Sequence, residues 1–411
     1  MPTQFKTQLV HLLRKSPYSE KSPGYLTLVE GLQREPLLAY VPNPLPPQTS
    51  DAQTWEPSEE VKQKLGETKT ILEELEAVSR SFILPPSMLL APLIIEDIKL
   101  LNNPDEQLGR ARYLADYLLQ LNEAIEQAQQ EKFSIDTLAQ WHQGIFAGPN
   151  LGYKGLLRSE CLVFLRKNDQ KISYYFTPPH EPMMKCLRDL EVFMNEESSN
   201  EESSNEESSF DPLIKLGLFF YQFMAIHPFG DGNGRMTRFY ATVFLVIQHY
   251  LSRPFFFIGP YLNLHRDEYI RLLDGVRIDG DWDSWLIFFL DGICVTANKL
   301  QTRMTEINAL YQRCFQLLQE NERVPQESIP KILKALFTAP MTSLSQWTAH
   351  IDEPEGLWDI IIPMLSKASI LDTAENKTLN SNGENSIEEL WVFTQLIDVI
   401  NAPLFLDDDF E

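Results

Sequence analysis

The stretch HPFGDGNGRMTR, residues 227–238, sets glycines at 230, 232 and 234 among Asp231, Asn233 and Arg235, and closes on a second arginine, Arg238. The run before it, PLIKLGLFFYQFMAI, is apolar nearly all round, as expected for a helix at the centre of a core. Asp211-Pro212 starts that helix with a cap and a proline at the first helical position. The run from Arg235 to Tyr250 reads as another such helix. A flexible, charged loop between two buried helices makes this a mainly α protein with its chemistry at one corner.

The second helix is expected to begin at about Gly232 or Asn233. A helix start presents unpaired amides and a partial positive charge, so it attracts anions. Gly232 and Gly234 remove side chains that would keep a phosphate off those amides, and they permit positive φ. Arg235 and Arg238 lie three apart on one helix face, where both could reach a single polyphosphate. Asp231 is a hard oxygen ligand suited to Mg²⁺. His227 is the one nearby group that titrates near neutrality, as a general base should. These parts match phosphoryl or nucleotidyl transfer, where positioning and charge stabilisation carry most of the catalysis. GxxxxGK[ST] is absent, so the loop is not a Walker A motif. A plain helix–loop–helix corner would not need His, Asp, Asn and two Arg together, and a His227/Asp231 transition-metal pair lacks a third ligand nearby.

Outward from this corner, the first fifty-odd residues read as loops ending in the proline-rich YVPNPLPPQTS. A helix is expected after the cap Ser58, broken by Pro85-Pro86, and followed by the apolar run MLLAPLIIEDIKLL. Further helices are expected over Gln107–Gln129 and Ile135–Ile145. LVFLRKNDQKISYYF has β-type residues on both sides of a polar Lys-Asn-Asp-Gln turn and reads as a hairpin. Residues 195–209 repeat NEESS, an acidic low-complexity run with too little apolar surface to fold alone. More helices are expected to about residue 325, then two or three short helices and a polar-tipped hairpin.

With 411 residues the chain exceeds what one hydrophobic core normally serves. A formal net charge of −23 repels phosphate backbones, so no nucleic acid is expected as a partner. Cys161, Cys186, Cys294 and Cys314 have no CxxC spacing, which disfavours both a disulfide framework and a zinc site. Neither a signal peptide nor a bilayer-spanning apolar segment is expected, so the protein is placed in the cytoplasm; the acidic repeats and the DDDFE tail also suit an exported effector.

The residues of the loop resemble the Fic (filamentation induced by cAMP) family. His227, Phe229, Asp231, Gly232, Asn233, Gly234, Arg235 and Arg238 fill every specified position of its HxFx(D/E)GNGRxxR motif. GLLRSE resembles the pGxfR element, YYFTPP the end of the family's flap, and DEYIRLLDGVRIDGDWDSWLIFFLDG the helices after the motif. The fold class this implies is mainly α: a Fic-type helical bundle with a β-hairpin flap, plus a C-terminal winged-helix-like domain. The implied domains are an N-terminal helical extension over 1–108, a catalytic core over 109–300 with the flap at about 160–178, and a linker helix with the winged-helix-like domain over 301–411.

Family members transfer AMP from ATP to a Ser, Thr or Tyr hydroxyl of a target protein. The resemblance implies that His227 deprotonates the hydroxyl and Asp231 holds Mg²⁺. The amides of Gly232 to Gly234, with the Asn233 side chain, would hold the α- and β-phosphates, Arg235 and Arg238 the outer ones, and Tyr269 would border the adenine. The partner implied is a protein target docking at the flap, with self-modification and a homodimer as further options. The chain departs from the family at IIEDIKLLNNPDEQ, which lacks the inhibitory [ST]xxxE[GN] pattern, so no glutamate of that kind is expected on Arg238. Ile270, where many relatives have tyrosine, leaves nucleotide preference open. The competing readings are transfer of another nucleotide or phosphate-containing group on the same scaffold, a catalytically dead scaffold, and a winged-helix regulatory or interaction protein. The last has a poor footprint for DNA, because SLSQWTAHIDEPEGLWDIIIPMLSK carries more acids than bases.

Overall fold

A computed structural model describes residues 18–30, 36–48, 53–99, 106–146, 154–168, 171–196, 210–350, 355–379 and 385–405. Contrary to the expectation of loops, the N-terminal part contains an antiparallel pair, β1 (Gly24–Glu30) and β2 (Pro36–Pro42), with Gly24 opposite Pro42. A two-stranded ribbon is marginal in water. This one is held because Tyr40 and Val41 are buried in the core, where Tyr40 stacks on Tyr18 at 5.3 Å.

The first helix, α1 (Glu59–Arg80), starts where Ser58 Oγ accepts the Val61 amide, with Glu59 and Glu60 in its first turn and Arg80 in its last. It is followed by α2 (Pro86–Lys99), α3 (Glu106–Ala128) and α4 (Ile135–Ile145), close to the bounds the periodicity implies. The hairpin is β3 (Val163–Asn168) paired with β4 (Lys171–Phe176), after which comes α5 (His180–Asn195). The NEESS repeats lie outside the described residues from position 197 on.

At the centre stands α6 (Pro212–Ile226), buried along its length except at Pro212 and Met224, with Asp211 Oδ1 accepting the Leu213 amide at its start. The loop of residues 227–232 then leads into α7 (Asn233–Ile247). Next come α8 (Gly259–Leu264), α9 (Arg266–Asp279) and α10 (Trp282–Gln319). The 38-residue α10 runs unbroken across the boundary expected at 300. Phe220 on α6 packs against Trp285 and Phe289 on α10, at 6.0 and 5.3 Å between ring centroids.

Beyond α10 lie α11 (Ile329–Thr338), β5 (Met341–Thr342), α12 (Leu344–His350), α13 (Glu355–Lys367), β6 (Leu371–Leu379), β7 (Asn385–Phe393) and α14 (Thr394–Asn401). The three strands form an antiparallel sheet in the order β5-β7-β6. Trp347 and Trp358 stack inside this unit at 5.2 Å. The chain then folds back on the helical bundle: α14 packs on α2, Phe405 meets Tyr261, and Arg303 of α10 donates to the Ile400 and Ala402 carbonyls. Among the described residues no helix is long and apolar enough to cross a membrane.

Candidate active site

The loop begins with a left-handed residue. His227 caps α6 at φ 52°, and its amide donates to the Phe223 carbonyl at 2.8 Å. Its Nδ1 lies 3.3 Å from the Met224 carbonyl, which can only accept, so in the neutral ring Nδ1 carries the proton and Nε2 the lone pair. Phe164 at the base of the flap packs edge-on to the imidazole at 4.7 Å. The strand β4 is pinned beside it by the Tyr175 hydroxyl, which donates to the Ala225 carbonyl.

Arg158, within GLLRSE, fixes the backbone of this corner. It is buried and donates Nε to the His227 carbonyl at 2.7 Å, Nη2 to the Ile226 carbonyl at 3.0 Å and Nη1 to the Glu160 carbonyl at 2.6 Å. Burial lowers its pKa, with Cys161 and Tyr175 opposing. Two of these carbonyls, of Ile226 and His227, stand at the end of α6, which suits a cation. Arg158→Met is expected to lower unfolding stability by about 3 kcal/mol, because charge-assisted bonds are lost and buried carbonyls are left unpaired. Arg158→Lys should fall between. Denaturant titration checks this, and a loss under about 1 kcal/mol would remove the assigned role.

Phe229 pairs with Leu157 in an antiparallel bridge and is buried. Asn233 Oδ1 accepts the Phe229 amide at 2.9 Å, and Asn233 Nδ2 donates to the Phe229 carbonyl at 2.8 Å. The sequence pattern set the Asn233 side chain against phosphate; here, at 1% exposure, it closes the loop on itself.

Gly232 caps α7 at φ 82°, and a Cβ there would lie 2.6 Å from Phe146 Cζ. The first intrahelical bond runs from the Met236 amide to the Gly232 carbonyl, which leaves the amides of Asn233, Gly234 and Arg235 with no carbonyl of their own helix to meet. At present carboxylates answer the cationic groups around this helix start. Asp231 Oδ1 accepts the Gly232 amide at 2.6 Å, and Oδ2 accepts Arg235 Nη2 at 3.1 Å. Arg235 also lies 4.1 Å above the Phe146 ring.

Arg238 meets a carboxylate too, though not the glutamate type the sequence reading looked for. Nη2 donates to Asp97 Oδ2 at 2.8 Å, and Asn263 Nδ2 donates to Asp97 Oδ1 at 2.9 Å. The pair is buried, with 14% and 4% of the two side chains exposed. Burial alone would lower the Arg238 pKa, but the charge and hydrogen bond of Asp97, with Tyr269 and Tyr117, raise it. Arg238 Nε is buried with no acceptor among the described residues. Tyr269 packs against Phe220 and Trp285 and lies within electrostatic reach of Arg238.

Sequence reasoning did not find Asp97, Asn263, Phe146 or His142. The signal for Asp97 was a carboxylate at a buried position of an apolar helix, which demands a partner. His142 of α4 bonds to both Gly155 and Asp231, and burial lowers its pKa, with the Asp231 carbonyl opposing.

This geometry agrees with comparisons to known proteins. The model of the Fic/DOC family matches residues 132–245, which span α4 to α7. Over 119 residues, 29% of this chain, the sequence is 26% identical to protein adenylyltransferase fic-1 of Caenorhabditis elegans. The chain spans about a fifth of the length of that relative, 20%. Among solved structures, a Fic family protein from Desulfovibrio desulfuricans G20 is similar at a TM-score of 0.44 and 17% identity, covering 82% of this chain and 98% of that one. Fic-1 of C. elegans is similar at 0.41 and 16% identity, covering 60% and 73%. With the motif intact from His227 to Arg238 at the junction of α6 and α7, residues 132–245 carry a domain of the Fic/DOC family.

Proposed function

We propose that the chain is a protein adenylyltransferase: it transfers AMP from ATP to a Ser, Thr or Tyr hydroxyl of a target protein and releases pyrophosphate. The observation that carries this reading is the junction of α6 and α7, where a histidine with its Nε2 lone pair stands next to a glycine-bared helix start backed by two arginines. The buried Arg238 Nε, without an acceptor among the described residues, fits an anion.

In this reading His227 Nε2 takes the proton of the target hydroxyl as its oxygen bonds to the α-phosphorus. The bond from that phosphorus to the bridging oxygen breaks, and its electron pair leaves on pyrophosphate. The α7 amides and Arg235 hold the polyphosphate in line, and Arg238 engages it once Asp97 withdraws. The Asp231 side chain, 62% exposed, is suited to holding Mg²⁺, which is bound by one or two carboxylates together with phosphates and water. Bound Mg²⁺ supplies charge neutralisation on the leaving polyphosphate. Phe164 and the flap would present the target segment by strand addition. The C-terminal unit, with its helix, strand, two helices and two strands, we read as winged-helix-like and as a surface for protein contact.

Incubation of the chain in a lysate with Mg²⁺ and ATP labelled at either end tests the reaction type. Label on protein is expected from the α-phosphate and not from the γ-phosphate. Retention of the γ label would replace AMP transfer by phosphoryl transfer.

A further inference from the structure

We propose that His142 is a positioning residue of the phosphate cradle, which sets the direction of the Gly232 amide and thereby the affinity for polyphosphate. The proposal rests on the reading of this loop as a polyphosphate site.

His142 is 3% exposed, stacked on Phe229 at 4.0 Å and against Phe146 at 4.5 Å. The Gly155 amide lies 3.0 Å from its Nδ1. A backbone amide can only donate, so Nδ1 must present a lone pair, and in the neutral ring the proton then sits on Nε2. That Nε2 is 3.0 Å from the Asp231 carbonyl, to which it donates. One residue from α4 thus ties two backbone segments, with donor and acceptor assigned by their partners rather than by choice.

The consequence follows from peptide planarity. In a trans peptide the carbonyl of one residue and the amide of the next point in opposite directions. With the Asp231 carbonyl turned inward to His142, the Gly232 N–H is turned outward, where it now meets the Asp231 carboxylate at 2.6 Å. A phosphate oxygen in that place would meet the same amide. Gly232 makes rotation of this peptide cheap, because glycine adopts either sign of φ with little penalty. The imidazole holds this peptide from behind, through the carbonyl, and leaves the amide face to the Asp231 carboxylate or to a phosphate in its place. The close fit, with a hypothetical Gly232 Cβ only 3.1 Å from His142 Nε2, shows how directly the ring backs this residue.

Two substitutions separate the donor to Asp231 from mere filling of space. In His142→Gln the amide nitrogen reaches the place of Nε2 and can still donate to the Asp231 carbonyl. In His142→Asn the carboxamide can accept from Gly155 but does not reach Asp231. The dissociation constant and KM for Mg-ATP are expected to stay within about threefold in His142→Gln and to rise at least about tenfold in His142→Asn, with kcat moving less than about threefold. A purely structural histidine would instead lower the melting temperature and the active fraction while leaving KM alone. Equal ATP affinity in the two variants would overturn the proposal. If the asparagine variant does not fold, nitrogen NMR of the wild-type histidines still decides: a proton on Nδ1 of His142 overturns it, and a proton on Nε2 supports it. A wild-type chain with the Nε2 proton and no affinity for ATP would instead bring down the polyphosphate reading itself.

Discussion

Replacing His227 by alanine is expected to slow AMP transfer by about 10²–10⁴-fold, the contribution of a well-placed general base, while ATP affinity changes less than about threefold. The asymmetry follows from where the residue sits. Its backbone carbonyl is held by Arg158 and its amide by Phe223, and both bonds survive the substitution because neither uses the side chain. The groups assigned to polyphosphate lie beyond the turn, from Asp231 to Arg238, and the imidazole meets the Met224 carbonyl and the Phe164 ring. Alanine at φ 52° costs of order 1 kcal/mol. His227→Asn, whose residue enters the left-handed region more readily, serves as the companion variant that removes this penalty. Transfer of labelled AMP and ATP binding by calorimetry are the measurements. Undiminished labelling in both variants would remove His227 from the chemistry, whereas a tenfold loss of ATP affinity would place its ring on the polyphosphate.

The corner between α6 and α7 was legible because its residues are contiguous: one uninterrupted stretch carries the histidine, the glycines, the acid and both arginines. Helix bounds such as Ile135–Ile145 were legible for a local reason as well, since Ser134 caps and an apolar stripe repeats. The β1-β2 ribbon was not, because its strands are stabilised by burial of Tyr40 and Val41 against helices far along the chain, while prolines mark its end. The clamp made by Asn233 was hidden for a related reason. An asparagine at a helix start reads equally as a ligand or as a local clamp, and only the folded geometry shows both its side-chain atoms on Phe229. His142 gave no signal at all: a histidine on an amphipathic helix looks the same whether it fills space or orients a peptide 89 residues away. Asp97 is separated from Arg238 by 141 residues, so their pairing is a property of tertiary packing alone.

That last pair sets the second large effect. In the structure Asp97 occupies the guanidinium that a polyphosphate would use, so a nucleotide must displace a buried, doubly hydrogen-bonded carboxylate before Arg238 can help hold it. Apparent affinity is reduced by whatever free energy keeps the competing contact closed. Asp97→Ala is therefore expected to tighten ATP binding at least about tenfold, ~1.4 kcal/mol, and to raise transfer at subsaturating ATP in proportion. The same change should lower the stability of the nucleotide-free protein by about 3–5 kcal/mol, because it leaves the Arg238 charge buried without a partner. Opposite movements of stability and affinity distinguish relief of a competing contact from simple damage, which would lower both. Weaker or unchanged ATP binding in a folded Asp97→Ala protein would show that the carboxylate is no competitor of phosphate. Glu96→Gln is the control, since the neighbouring residue does not provide the oxygen that meets Arg238, and it should leave ATP affinity within about twofold. The packing of α14 and Phe405 against α2 and Tyr261 places the C-terminal unit directly behind the helix that delivers Asp97.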